Sequence, residues 1–321
     1  MTYKKQVTVL SGIIAVLAIT YILTVIFDPE RRGARSDAYF WLDPAQSGQI
    51  SGITITQEAE NITLARNGGR WFVSHNGKDY PARTLRVDDF IAALTKRAPY
   101  PVRSSSASSH ARLSLTEEQA TRVTVAAGAG LPLLTLLIGQ EDSTGQVFLR
   151  KQGQHEVRSG ENIFAAFTQA TLQSWYNLRL FPESESGTLT AASVQRLTVY
   201  PGDDGAETPP RIFTRNGSEW TFNFEVANPD TAKVDNYIRD ILNTAGDDFV
   251  QTIESSDSLF NYSRLVFEFG DGSSRTLRLG PPDEDGKRFA TVSGSDWVYS
   301  IPAWAGGRFF VSEGSFAGVG E

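Results

Sequence analysis

The chain has 321 residues, 40% hydrophobic, 21% charged and 11% aromatic, with a formal charge of −7 and no cysteine. Such a length predicts about two domains with ample core. An acidic balance without a basic cluster argues against a nucleic-acid partner, and the lack of cysteine excludes disulfides and thiolate metal sites.

Val7 to Phe27 is 21 residues without a charge. As a helix it would span about 32 Å, enough for the hydrocarbon layer of a bilayer. Leu10, Ile13, Ile14, Leu17, Ile22, Leu23 and Ile26 would face lipid. No small-x-small cleavage site follows it, so a retained single-pass anchor over residues 1–35 is expected rather than a removed signal. Lys4 and Lys5 favour a cytoplasmic N-terminus, with the body outside; Arg31, Arg32 and Arg35 beyond the span oppose that bias. Tyr39, Phe40 and Trp41 then either sit at the bilayer interface or begin the first domain.

A first module, 36–182, opens with a strand at Ile53 to Thr56. A hairpin follows at Arg66-Asn67-Gly68-Gly69-Arg70-Trp71, where Asn-Gly supplies a type I′ turn and Trp71 returns on the buried face. Val87, Phe90, Ile91 and Leu94 have the spacing of an amphipathic helix. A serine-rich loop, Ser104 to Ser109, leads to strands at 122–125 and 133–139, separated by Gly128-Ala129-Gly130. A hairpin at 146–158 and a helix from Glu161 to Leu172 close the module.

The second module, 188–321, follows the polar linker 182–187 and repeats that order. Its opening strand is Val194 to Tyr200, and Arg215-Asn216-Gly217-Ser218-Glu219-Trp220 repeats the hairpin at an offset of 149 (215 − 66). Asn228-Pro229 predicts a helix start, and Val234-Asp235-Asn236-Tyr237-Ile238 answers Val87-Asp88-Asp89-Phe90-Ile91 at 147 (234 − 87). Gly280 answers Gly139 at 141 (280 − 139), after strands at 265–269 and 275–280. Strands at 288–292 and 297–301 end the copy, and the glycine-rich residues 313–321 are expected to fray. The fold class is therefore α+β: a transmembrane helix, then two tandem repeats of antiparallel sheet with packed helices.

Chemistry is sparse in this pattern. His75, His110 and His155 stand far apart without a ligand at helical spacing, so no metal and no cofactor is expected. The acidic loops Gly202 to Gly205 and Asp283 to Gly286 lack the oxygen spacing of an EF-hand and suit turns. Asp247-Asp248 is the carboxylate pair that a glycan-cleaving enzyme would need. Trp175, Tyr176 and Trp304 are candidates for a partner-binding surface, or else pack beneath each sheet.

Trp71, Leu136 to Gly139, Leu178-Arg179-Leu180, Trp220 and Leu277 to Gly280 carry a resemblance to a bacterial domain-of-unknown-function family. Its members have one N-terminal transmembrane helix before one or two α+β repeats, and are commonly encoded beside gliding-motility-type ABC exporter components. The second module has no clear Leu-Arg-Leu counterpart. The resemblance implies a non-enzymatic accessory subunit of an ABC-type transport complex, anchored in the inner membrane with its body on the periplasmic side. An envelope-anchored glycan-acting enzyme and a structural scaffold are the alternatives.

Overall fold

The computed structural model describes residues 38–57, 60–184, 187–202 and 208–318. The predicted anchor at Val7–Phe27 and residues 203–205 of the first acidic loop lie outside that set. Among the described residues no helix is long and apolar enough to cross a membrane. The described chain is mostly β-sheet with a few short helices, and divides into two compact units, 1–175 and 176–321.

Unit 1 contains β1 (Ala38–Tyr39), β2 (Ile50–Gln57), β3 (Glu60–Asn67), β4 (Arg70–His75) and β5 (Lys78–Pro81). Helix α1 (Thr84–Thr95) follows, then β6 (Ala98–Pro99), β7 (Val102–Ser104), β8 (Thr121–Ala127) and β9 (Pro132–Glu141). The unit closes with β10 (Gln146–Lys151), β11 (Val157–Glu161) and α2 (Ala165–Thr168). Nine strands form one antiparallel sheet in the order β5-β4-β3-β2-β8-β9-β10-β11-β7, and β1 pairs with β6.

The expected hairpins form, but their turns sit one residue later than Asn-Gly would place them. Asn67 pairs with Arg70, so Gly68 and Gly69 are the central residues, both at positive φ (56° and 82°). Two adjacent glycines enter that conformation at less steric cost than Asn-Gly. The true Asn-Gly turn is Asn76-Gly77, with φ of 50° and 74°, which adds the unforeseen strand β5.

Helix α1 buries Val87, Phe90 and Leu94, as the spacing predicts, while Ile91 lies nearer its boundary. Burying a Phe of this kind contributes about 2–3 kcal/mol. The chain before β2 belongs to this core. Trp41 is buried, its ring edge-on to Tyr100 at 5.2 Å, and its backbone N–H donates to Leu94 O. The predicted helix over 161–172 breaks up: Glu161 stays in β11, α2 covers four residues, and Leu172–Trp175 is a 3-10 turn. Phe164 and Phe167 instead turn inward onto Phe90, at 6.4 and 4.9 Å.

Unit 2 contains β12 (Val194–Tyr200), β13 (Arg211–Asn216), β14 (Glu219–Phe222), α3 (Thr231–Leu242) and β15 (Asp248–Phe249). It continues with β16 (Ser263–Phe269), β17 (Ser274–Leu279), β18 (Arg288–Val292), β19 (Val298–Ile301) and α4 (Ala303–Gly306). Its eight strands are ordered β14-β13-β12-β16-β17-β18-β19-β15, all antiparallel. Leu178 to Leu180 joins this unit: Leu180 N–H donates to Thr244 O, and Leu178 O accepts from Gly246 N–H.

Helix α3 buries Val234, Tyr237, Ile238, Ile241 and Leu242. Its cap is Asp230, not Asn228-Pro229. The Asp230 carboxylate accepts from the Ala232 and Lys233 N–H groups, while Asn228 sits at φ 45° and Pro229 bridges to Ala317. An N-cap carboxylate satisfies the free amides of the first turn, which a preceding Pro cannot do. The C-terminal segment is pinned rather than frayed as far as Gly318. Phe316 is buried against Phe213 and Tyr237 at 5.0 and 5.3 Å, its carbonyl accepts from Asp230 N–H, and Lys233 Nζ donates to Ala317 O.

Candidate functional site

The hairpin motif and the helix motif meet in unit 2. Arg215 on β13 lies over the Trp220 ring, with its guanidinium carbon 4.4 Å from the ring centre. Its Nη2 donates to Asp235 Oδ1 on α3 at 2.5 Å, and the Trp220 indole donates to the same oxygen at 3.1 Å. Arg215 also donates to the Val194 and Ala191 carbonyls. Strand alternation puts Trp220 on the helix side of the sheet, and the second turn of α3 brings Asp235 over it. The three side chains fasten helix to sheet. Trp71 and Trp220 are both 4% exposed, so each serves the core.

Gly139 and Gly280 are also structural. A Cβ on Gly139 would overlap the Leu113 carbonyl and press on Leu115, and one on Gly280 would meet Leu259 at 2.9 Å. Each glycine lets a covering segment lie close against its strand.

The three aromatic candidates separate. Trp175 is fully buried beside Phe90 at 6.0 Å with the Arg86 guanidinium 4.8 Å from its ring centre, and Tyr176 is 4% exposed against Phe249 at 5.1 Å. Both are core residues, which corrects their reading as a partner surface: their rings have apolar neighbours to fill against. Trp304 on α4 is 66% exposed, with Arg308 stacked at 4.9 Å.

The histidines are not all apart. His110 and His155 stack with ring centres 6.1 Å apart, and His110 Nε2 lies 3.1 Å from the His155 carbonyl oxygen. Sequence spacing missed this pair because 45 residues separate them and the fold of the sheet brings them together. No third ligand joins them: among the described residues no group of three His, Asp or Glu side chains could hold a metal ion.

Asp283 spends its carboxylate on a turn, accepting from the Asp285 and Lys287 N–H groups. Asp247 lies 3.8 Å from Lys287 Nζ, and Asp248 accepts from the Phe249 N–H. Asp142 makes the same turn as Asp283, accepting from the Thr144 and Gln146 N–H groups, while Asp271 accepts from the Ser273 N–H. Donation from Thr144 to Asp142, and from Ser273 to Asp271, holds both carboxyls below their ordinary range. Burial raises the Tyr299 hydroxyl to about 12, and also raises that of Tyr237, which donates to Phe309 O at 2.7 Å.

Two antiparallel sheets, with α1 packed on one and α3 clasped to the other, define a two-unit α+β protein whose repeated sequence motifs serve the framework. The sequence profile of the family described as Domain of unknown function (DUF4340) matches residues 71–261. That is more than half of the chain, and the chain belongs to this family. No curated protein and no solved structure matches it.

Proposed function

We propose that the protein is a non-enzymatic, single-pass membrane-anchored subunit, built from two repeats of one module, that binds membrane partners on the extracytoplasmic side. An ABC-type transport complex is the partner class implied by the resemblance of its motifs.

The repeat reading rests on matched geometry. Omitting β5 and the separate β1–β6 pair, the strand orders of the two units correspond one to one. Asp142-to-Gln146 and Asp283-to-Lys287 form the same turn at an offset of 141 (283 − 142), the offset that relates Gly139 to Gly280. In each turn the aspartate N–H donates to the fifth residue's carbonyl at 2.8 Å, with a glycine at φ 79° or 78° in the fourth place.

The partner reading rests on Trp304. The residues shared by both repeats serve packing, whereas this ring lies open beside a stacked guanidinium. Trp and Arg are the side chains most enriched where interfaces concentrate their energy. Val7–Phe27 supplies the anchor in this reading, its 21 uncharged residues matching a bilayer's thickness.

The chain lacks cysteine, so a single Ala303→Cys variant carries a unique crosslinking handle beside the intact Trp304. Crosslinking from position 303 in intact cells should capture a transporter permease or ATPase-associated subunit. Capture of only its own copies would overturn the reading in favour of a scaffold.

A further inference from the structure

Unit 2 holds an open concavity of about 340 Å³, where Val292 and Gly294 lie among the polar residues Ser255, Ser256, Arg278, Thr291, Ser293 and Ser295. Among these named residues five carry hydroxyls, one carries a guanidinium and none is acidic. Pairing across the sheet brings Arg278 and Thr291 together. Arg264 on β16 is directly opposite Arg278 on β17, which is opposite Thr291 on β18, then Val298 on β19. Directly opposite residues share a face. This row lies on the face away from α3, since Phe213, in contact with Tyr237 at 5.9 Å, shares its face with Leu197 and Phe267.

Two arginines directly opposite one another repel and destabilise a sheet unless an anion offsets them. Among the described residues neither Arg264 nor Arg278 has a carboxylate within ion-pair distance. Arg264 instead stacks on Tyr200, 4.1 Å from the ring centre. Arg278 is exposed beside the hydroxyls.

Unit 1 provides an internal comparison, which rests on the repeat reading alone. The corresponding row is Arg122, Leu137 and Arg150. There Leu137 is buried in a small apolar cluster with Leu115, Ala120 and Val157. Arg150 is 7% exposed and donates to the Leu115 and Gln154 carbonyls, while Arg122 is paired with Glu117 at 2.7 Å. In unit 2 an Arg replaces the Leu, a Thr replaces the inward Arg, and the Glu has no counterpart pairing. The face that unit 1 closes is open, cationic and rich in donors in unit 2.

We propose that this concavity binds a phosphate group, either free phosphate or a phosphomonoester. A guanidinium offers two parallel donors to such an oxyanion, and the serine hydroxyls can satisfy its remaining oxygens, the Thr291 hydroxyl already donating to Trp297 O. The volume is at the small end of ligand sites, suited to a compact head rather than an extended molecule.

The test is calorimetric titration of the full-length protein in mild detergent at fixed ionic strength, using inorganic phosphate, glycerol 1-phosphate and glycerol as probes. Saturable binding of one or both phosphates, without glycerol binding, is expected. Equal affinity for the two phosphates identifies the free ion as the preferred source, and tighter binding of glycerol 1-phosphate identifies an ester headgroup. Arg278→Gln should weaken binding at least about tenfold, as loss of a charge-assisted pair does, and Arg239→Gln, at an exposed position on α3, should leave it unchanged. Arg278→Glu, which reverses the charge at the concavity's named cation, should abolish binding. Should that variant not fold, Arg264→Gln on the exposed face gives the second readout, a several-fold loss. No saturable binding, equal binding of glycerol, or affinity unaltered by Arg278→Gln would overturn the proposal. These readouts need no transporter partner, so they stand or fall separately from the partner reading.

Discussion

Removing the Asp235 carboxylate should loosen α3 from its sheet, and the clasp geometry sets the size of the effect. Asp235 accepts from Arg215 at 2.5 Å and from the Trp220 indole at 3.1 Å. The Arg215 side chain is only 12% exposed and that of Asp235 is 29% exposed. Breaking a fully buried pair costs about 3–5 kcal/mol and an exposed one about 0–1. Partial burial, with an indole donor also stranded, puts Asp235→Ala at about 2–3 kcal/mol. For a unit of this size that lowers Tm by roughly 6–10 °C. Thermal unfolding followed by near-ultraviolet circular dichroism reads it directly. Combining Asp235→Ala with Arg215→Gln should give a coupling of about 1 kcal/mol or more. A loss below about 0.5 kcal/mol, or strict additivity, would refute the clasp as a stabilising unit.

Three further outcomes follow from the same geometry. Gly139→Ala should destabilise by about 3 kcal/mol and Gly280→Ala by about 1, because the first meets a backbone carbonyl and the second a leucine side chain that can shift; urea unfolding that ranks them the other way contradicts this. Trp175→Ala should cost about 3–5 kcal/mol as a core truncation, whereas Trp304→Ala should change stability by less than about 0.5 kcal/mol yet reduce partner recovery in pull-down. Alkaline stability follows from Tyr299 and Tyr237, whose protonated forms burial favours in the folded state. The unfolded chain gives up these protons near pH 10, so stability is complete below that value and falls as pH rises through about 12, where Tyr299 titrates when folded. Phenolate absorbance should rise late and together with unfolding, and a smooth titration without unfolding would count against it.

Local signals were legible in the sequence, and long-range ones were not. The two Trp hairpins and the faces of α1 and α3 follow from alternation and helical spacing over a few residues. Turn placement at Gly68-Gly69 escaped because Asn-Gly and Gly-Gly overlap, and only strand register chooses between them. Asn76-Gly77 is as good a turn signal, but β5 is four residues long and too short to announce itself by alternation. The helix expected over 161–172 failed because Phe164 and Phe167 gain more by burial against Phe90 than the segment gains from continuing helix. The His110–His155 pair and the row joining Arg264, Arg278 and Thr291 depend on which strands become neighbours. Of the partner-surface candidates, Trp304 alone kept the exposure that reading needs, since aromatic residues near element ends pack inward or outward according to tertiary context.

The most direct test of the partner account is in-cell crosslinking followed by mild-detergent purification of the full-length protein, alongside a form lacking residues 1–35. Identification of an ABC-type permease or ATPase with the full-length form, lost on Trp304→Ala, is the predicted result. Recovery of the protein alone, with or without its first 35 residues, would contradict the account.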